Sequence, residues 1–146
     1  MRILITGGTG LIGSNLIPKL KPNDITVITR NVSQAELLLG HKVTLTSSLT
    51  DFENLDDFHV VINLAGEPIA DKRWSPEQKE RIEQSRWEMT EKLVSLIKAS
   101  SRPPSLFISG SAIGYYGRQD DQIIDEEFNS PYDEFSHRLC DRWESL

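Results

Sequence analysis

The chain has 146 residues, with 16 lysines and arginines against 22 acidic residues and a net charge of −6. That balance argues against a nucleic-acid partner, which needs a clustered basic surface. Cys140 is the single cysteine, so neither an internal disulfide nor a multi-cysteine metal site can form, and a reducing cytoplasm fits best. No apolar run nears the roughly 18 residues of a membrane helix, and the opening residues are too few for a signal-peptide core.

Short apolar runs alternate with helical stretches along the chain. The pattern predicts a strand over 2–6, a helix over 11–20, a strand over 25–29, a helix over 33–39 and a third strand near 42–46. A strand over 60–64, a long helix over 76–99 and a fifth strand over 105–109 follow. Ser75 suits the N-cap of the long helix, Pro76 its first position and Gln78 the capping-box spacing, while Pro103 and Pro104 enforce its end. Residues 118–134 read as an acidic, polar loop, and 134–146 as a last helix. The alternation predicts an α/β fold with a doubly wound parallel sheet, a single domain over residues 1–146.

The first strand runs directly into Gly7, Gly8, Gly10 and Gly13, and a helical pattern follows at once. Glycines in that setting allow a tight turn, close backbone approach to a pyrophosphate, and close helix packing. The next helix then aims its free N–H groups at the anion. At the end of the second strand, Arg30 replaces the acidic residue that would hold the ribose hydroxyls of NAD, and Thr29 adds a hydroxyl beside it. A guanidinium there accepts a 2′-phosphate in bidentate fashion, which favours NADP(H) over NAD(H).

Asn63-Leu-Ala-Gly66 ends the fourth strand with small residues at the ligand edge of the sheet. Arg86 falls within the apolar stripe of Ile82, Met89, Leu93 and Ile97 on the long helix. A guanidinium on such a face calls for an anion or several acceptors, whether an internal carboxylate or a cofactor phosphate, unless it snorkels to the helix edge. Ser111 is placed to polarise a carbonyl, and Tyr115 or Tyr116 to exchange a proton if a cation lowers its pKa. No lysine follows Lys98, so no Tyr-x-x-x-Lys pair can form downstream. His41, His59 and His137 show no metal-ligand spacing, and no metal site is expected.

Thr6-Gly-Gly-Thr-Gly-Leu-Ile-Gly13 resembles the TGxxGxxG loop of extended short-chain dehydrogenases/reductases, the NAD(P)-dependent nucleoside-diphosphate-sugar epimerase and dehydratase superfamily. The stretches 63–74, Ser85-Arg86, 111–117 and 139–144 resemble its atypical branch, usually called epimerase family protein. The resemblance implies a Rossmann NAD(P)-binding fold. It implies that Gly7, Gly10, Leu11, Ile12 and Gly13 surround the pyrophosphate, that Thr29 and Arg30 hold the 2′-phosphate, and that Leu64, Ala65 and Arg86 contact the cofactor. Ser111 matches the superfamily's active-site serine or threonine.

Phe135 and Leu139 stand where the superfamily usually has its catalytic tyrosine and lysine, and neither exchanges a proton. The resemblance further implies a sixth strand and a carboxy-terminal substrate lobe, absent from this chain, which therefore reads as an amino-terminal piece of a longer epimerase-type protein. The leading expectation is an NADP(H)-binding domain of an epimerase or oxidoreductase acting on a small molecule, such as a sugar nucleotide. The alternatives are a non-catalytic NADP(H)-binding or sensing module and a structural protein that kept the fold alone.

Overall fold

The computed structural model describes residues 1–146, which divide into two compact units, Met1–Ser109 and Gly110–Leu146. In the first unit, β1 (Arg2–Thr6), β2 (Asp24–Ile28), β3 (Thr44–Thr46), β4 (Val60–Asn63) and β5 (Leu106–Ser109) form one sheet. All pairings are parallel, in the order β3-β2-β1-β4-β5. The order reverses beside β1, so a crevice opens between the carboxyl ends of β1 and β4, where open α/β sheets bind ligands.

Alternate residues of the buried strands feed opposite faces of the sheet. Ile3, Ile5, Ile25, Val27 and Ile62 pack on one face with Ile17, and Leu16, Leu20 and Leu39 join them. These partners come from α1 (Leu11–Leu16), the 3₁₀ turn Ile17–Leu20 that continues it, and α2 (Val32–Leu39). Leu4, Ile28 and Val61 pack on the other face with Leu49, Leu55, Phe58 and with Leu93 of α3 (Pro76–Ala99). Helices thus cover both faces, and the doubly wound sheet expected from the sequence is the one that forms.

Two local expectations need correction. The first helix does not run unbroken over 11–20, because Pro18 has no N–H to bond the turn before it, and the α-helix gives way to a 3₁₀ turn after Leu16. The long helix begins at Pro76 with Ser75 Oγ accepting from the Gln78 N–H at 3.3 Å, but the box is not reciprocated. The Ser75 N–H bonds the Arg73 carbonyl instead, and the buried Gln78 Nε2 has no partner.

The second unit holds a 3₁₀ turn, Ile113–Tyr116, and α4 (Phe135–Ser145), joined by a loop. Leu139, Cys140 and Trp143 are its buried side chains. Gly117 closes the 3₁₀ turn at φ +68°, with the Tyr132 carbonyl oxygen 2.3 Å from where a Cβ would stand. Arg118 lies over the Tyr132 ring, 4.6 Å from its centroid, and donates to the Tyr132 hydroxyl at 2.9 Å. No helix of the protein is long and apolar enough to cross a membrane.

Candidate functional site

The glycines after β1 have separate tasks. Gly7 adopts φ +69°, and a Cβ there would lie 2.4 Å from the Leu64 carbonyl oxygen, so only glycine lets the turn leave β1 against β4. Gly13 is buried, and its Cβ would lie 2.5 Å from the Gly7 oxygen and 2.6 Å from the Gly8 Cα, so it seats α1 against the turn. Gly10 is exposed and caps α1, whose first bond runs from Ser14 N–H to the Gly10 oxygen at 2.9 Å. The N–H groups of Leu11, Ile12 and Gly13 precede that bond and have no intrahelical acceptor. The exposed side chains of Leu11 and Ile12 stand on the same turn.

A cavity of about 600 Å³ opens over the carboxyl ends of β1, β2, β3 and β4. Gly7, Gly10, Thr29, Arg30, Leu64 and Ala65, all singled out in the sequence, line it. Thr29 is buried at the end of β2, and Arg30 projects from the same strand end, almost fully exposed. A smaller cavity of about 310 Å³ lies around Lys21, Asn23 and Val43, at the opposite, amino-terminal ends of β2 and β3.

A buried polar network forms the floor behind the β4 exit. Asn63 is fully buried and accepts from Thr6 Oγ1 at 2.6 Å while its Nδ2 donates to Thr90 Oγ1 at 2.9 Å and to Ser109 Oγ at 3.3 Å. Thr6 Oγ1 in turn accepts the Ala65 N–H at 3.2 Å. One carboxamide therefore joins the ends of β1, β4 and β5 to α3.

Arg86 meets several acceptors, as its place on the apolar stripe required. Its Nη1 donates to the Glu67 carbonyl at 3.2 Å and the Ile82 carbonyl at 3.1 Å, and the guanidinium lies against Gly66, where a Cβ would fall 2.8 Å from Cζ. It is not among the residues that line the cavity, whereas its neighbours Ser85 and Met89 are.

The sequence did not point to Asn31, Gln34, Ser47, Ser48, Thr50, Glu67 or Lys92, which also line the cavity. A cluster of hydroxyls after the third strand was the one available signal for Ser47, Ser48 and Thr50. In the second unit, Ser111 donates to a Glu144 carboxylate oxygen. Tyr115 packs edge-on against Tyr116 and His137, with ring centroids 5.5 Å apart in both pairs, and its carbonyl lies 2.5 Å from His137 Nδ1. Phe135 is half-buried and Leu139 is buried on α4.

A glycine turn at the exit of the central strand, beneath a cavity over the strand ends of a doubly wound sheet, defines the nucleotide-binding class of α/β proteins. The chain belongs to the NAD dependent epimerase/dehydratase family, whose sequence profile matches residues 3–140. It is 36% identical to an Arabidopsis thaliana homolog of the epimerase family protein SDR39U1, described as chloroplastic, covering 99% of this chain and 43% of that one. It is 34% identical to the epimerase family protein SH2119 of Staphylococcus haemolyticus, covering 98% and 48%. The chain thus spans less than half the length of either relative.

Among solved structures, human epimerase family protein SDR39U1 (isoform 2) with NADPH superposes with a TM-score of 0.83 at 27% identity, over 99% of this chain and 48% of that one. UDP-glucuronic acid 4-epimerase from Bacillus cereus in complex with NAD gives 0.75 at 20% identity, over 99% and 50%, a likeness of fold alone.

Proposed function

We propose that this chain is the NADP(H)-binding portion of an epimerase-type oxidoreductase. The observation that carries the reading is Arg30, a guanidinium at the end of β2 on the wall of a cavity already furnished with a glycine turn. The exposed backbone at Gly10 and the N–H groups of Leu11, Ile12 and Gly13 without intrahelical acceptors suit a pyrophosphate. Thr29 and Arg30 then take the adenosine 2′-phosphate, Leu64 and Ala65 flank the dinucleotide along the β4 exit, and Arg86 holds the loop that closes that side. The human relative's structure with NADPH and the Bacillus cereus epimerase's with NAD support a dinucleotide in this place, and the choice of NADP(H) rests on Arg30. A lone cysteine suits a reducing compartment, and we take the cytoplasm as its site of action.

The cofactor, when bound, supplies hydride exchange at its nicotinamide ring. Ser111, through its hydroxyl, and Tyr115 or Tyr116, through their phenols, are our candidates for orienting a small substrate, and a sugar nucleotide is the class we propose from the resemblance to sugar-nucleotide epimerases. A second reading, a binding or sensing module without turnover, is favoured by Phe135 and Leu139, since neither side chain donates or accepts a proton.

Titration of NADPH and NADH against the purified chain tests the proposal, with Arg30→Ala in parallel. NADPH is expected to bind the more tightly, and Arg30→Ala to weaken it by about ten-fold or more, the worth of a charge-assisted phosphate contact. Binding of neither nucleotide overturns the proposal. Equal affinities, untouched by Arg30→Ala, overturn the phosphate preference.

A further inference from the structure

A carboxylate faces Arg30 at the cavity wall. Glu67 Oε2 lies 3.8 Å from Arg30 Nη1 and Oε1 lies 3.7 Å from Lys72 Nζ. Neither cation makes another ion pair. The exposures differ sharply: the Glu67 side chain is 17% exposed, against 90% for Arg30 and 57% for Lys72.

Glu67 is the least exposed member of this group, and its backbone is anchored on both sides. The Glu67 N–H donates to Ser85 Oγ at 2.8 Å, and the Glu67 carbonyl accepts from Arg86 at 3.2 Å. Ser85 Oγ is itself tied to the Ile82 carbonyl at 2.9 Å, so α3 grips the loop backbone on both sides of this residue. Arg30 and Lys72 reach the carboxylate on long, exposed side chains, at distances that give attraction without a directional hydrogen bond.

We propose that Glu67 is a specificity-determining residue, a resident anion that competes with the cofactor's 2′-phosphate for Arg30. This rests on the assignment of Arg30 to that phosphate. A phosphate offers up to two charges and a bidentate match to the guanidinium, so it draws Arg30 away from a carboxylate held 3.8 Å off. The carboxylate stays behind as a fixed like charge on the cavity wall, partly neutralised by Lys72. NADPH is bound against that repulsion at its 2′-phosphate, whereas NADH lacks the group that competes for Arg30 and meets the carboxylate through its pyrophosphate alone. Glu67 thereby narrows the discrimination that Arg30 creates.

Glu67→Gln keeps the shape and removes the charge. Parallel titrations of NADPH, NADH and 2′,5′-ADP against the wild-type chain, Glu67→Gln and Arg30→Ala form the test, with circular dichroism confirming the fold of each. The expected result is that Glu67→Gln binds NADPH and 2′,5′-ADP on the order of five-fold more tightly at low salt, with NADH changed much less and the gain shrinking as salt is added. Unchanged NADPH affinity in Glu67→Gln overturns the inference. So does equal weakening of NADPH and NADH, which would make the carboxylate a ligand of ribose hydroxyls. If Arg30→Ala weakens NADPH while Glu67→Gln does not tighten it, only this inference falls; if Arg30→Ala leaves NADPH untouched, the phosphate assignment beneath it falls as well.

Discussion

The two compact units differ in how their functional candidates are supported. In residues 1–109, each strand end that reaches the cavity is backed by an apolar layer on both faces of the sheet, and the polar groups at the rim are braced by Asn63 and Arg86. In residues 110–146, Ser111, Tyr115 and Tyr116 are carried on a single 3₁₀ turn and its approach, with three buried side chains in the unit's one α-helix. The cofactor candidates therefore sit on the first turn of α1 and just beyond the ends of packed strands, and the substrate candidates on and beside a short turn. Binding of the dinucleotide is a property the first unit can preorganise, while chemistry needs groups whose support is thinner.

Substitutions in each unit put this difference to the test. The largest effect is expected from Gly13→Ala, whose Cβ would meet the Gly7 oxygen and the Gly8 Cα, both backbone atoms that cannot swing aside. It should cost about 3 kcal/mol of stability or more and abolish NADPH binding, as thermal melts and titration would record. Asn63→Leu comes next. Leaving the Thr6 and Thr90 hydroxyls without their buried partner should cost about 2–3 kcal/mol in urea unfolding.

Gly117→Ala probes the second unit. A positive φ and the Tyr132 carbonyl oppose the new methyl, so the 118–134 loop should become more open to proteolysis while NADPH affinity stays at the wild-type value. Loss of NADPH binding in this variant would end the division of labour between the units.

The smallest effect concerns acid. A hydrogen bond from the Ser75 hydroxyl, more than any other influence, holds the Glu77 carboxyl below its usual pKa at the start of α3. A lowered folded pKa adds stability above the ordinary glutamate value, and that contribution is lost as pH falls through the lowered one. Glu77→Gln should flatten a slight loss of stability on acidification, visible only in careful melts below about pH 5, and should leave cofactor binding alone.

Much of the first unit was legible because its signals are local. Ser75 and Pro76 open α3 and the Pro103-Pro104 pair stops it, and the expected span of 76–99 is the observed one. The glycine turn and Arg30 announce themselves because their chemistry depends on backbone freedom and charge at a strand end. Glu67 and Lys92 carry no such mark. Lys92 reaches the cavity only because α3 crosses behind the exit of β4, and Glu67 is turned to it by a loop whose backbone α3 holds, both consequences of packing between segments apart in sequence. Pro18 misled in the other direction, since the apolar spacing continued past a residue that the α-helix could not accommodate.

The bond from Arg86 to the Glu67 carbonyl has a consequence for the energetics of recognition. Together with the Asn63 carboxamide, it fixes the loop after β4 before any ligand arrives, so that segment has little conformational entropy left to lose on binding. The freedom that remains belongs mainly to exposed arms such as Arg30. Complex formation in this family member should then resemble a hand closing on an object already resting on a shelf, with a modest entropic penalty confined to side chains.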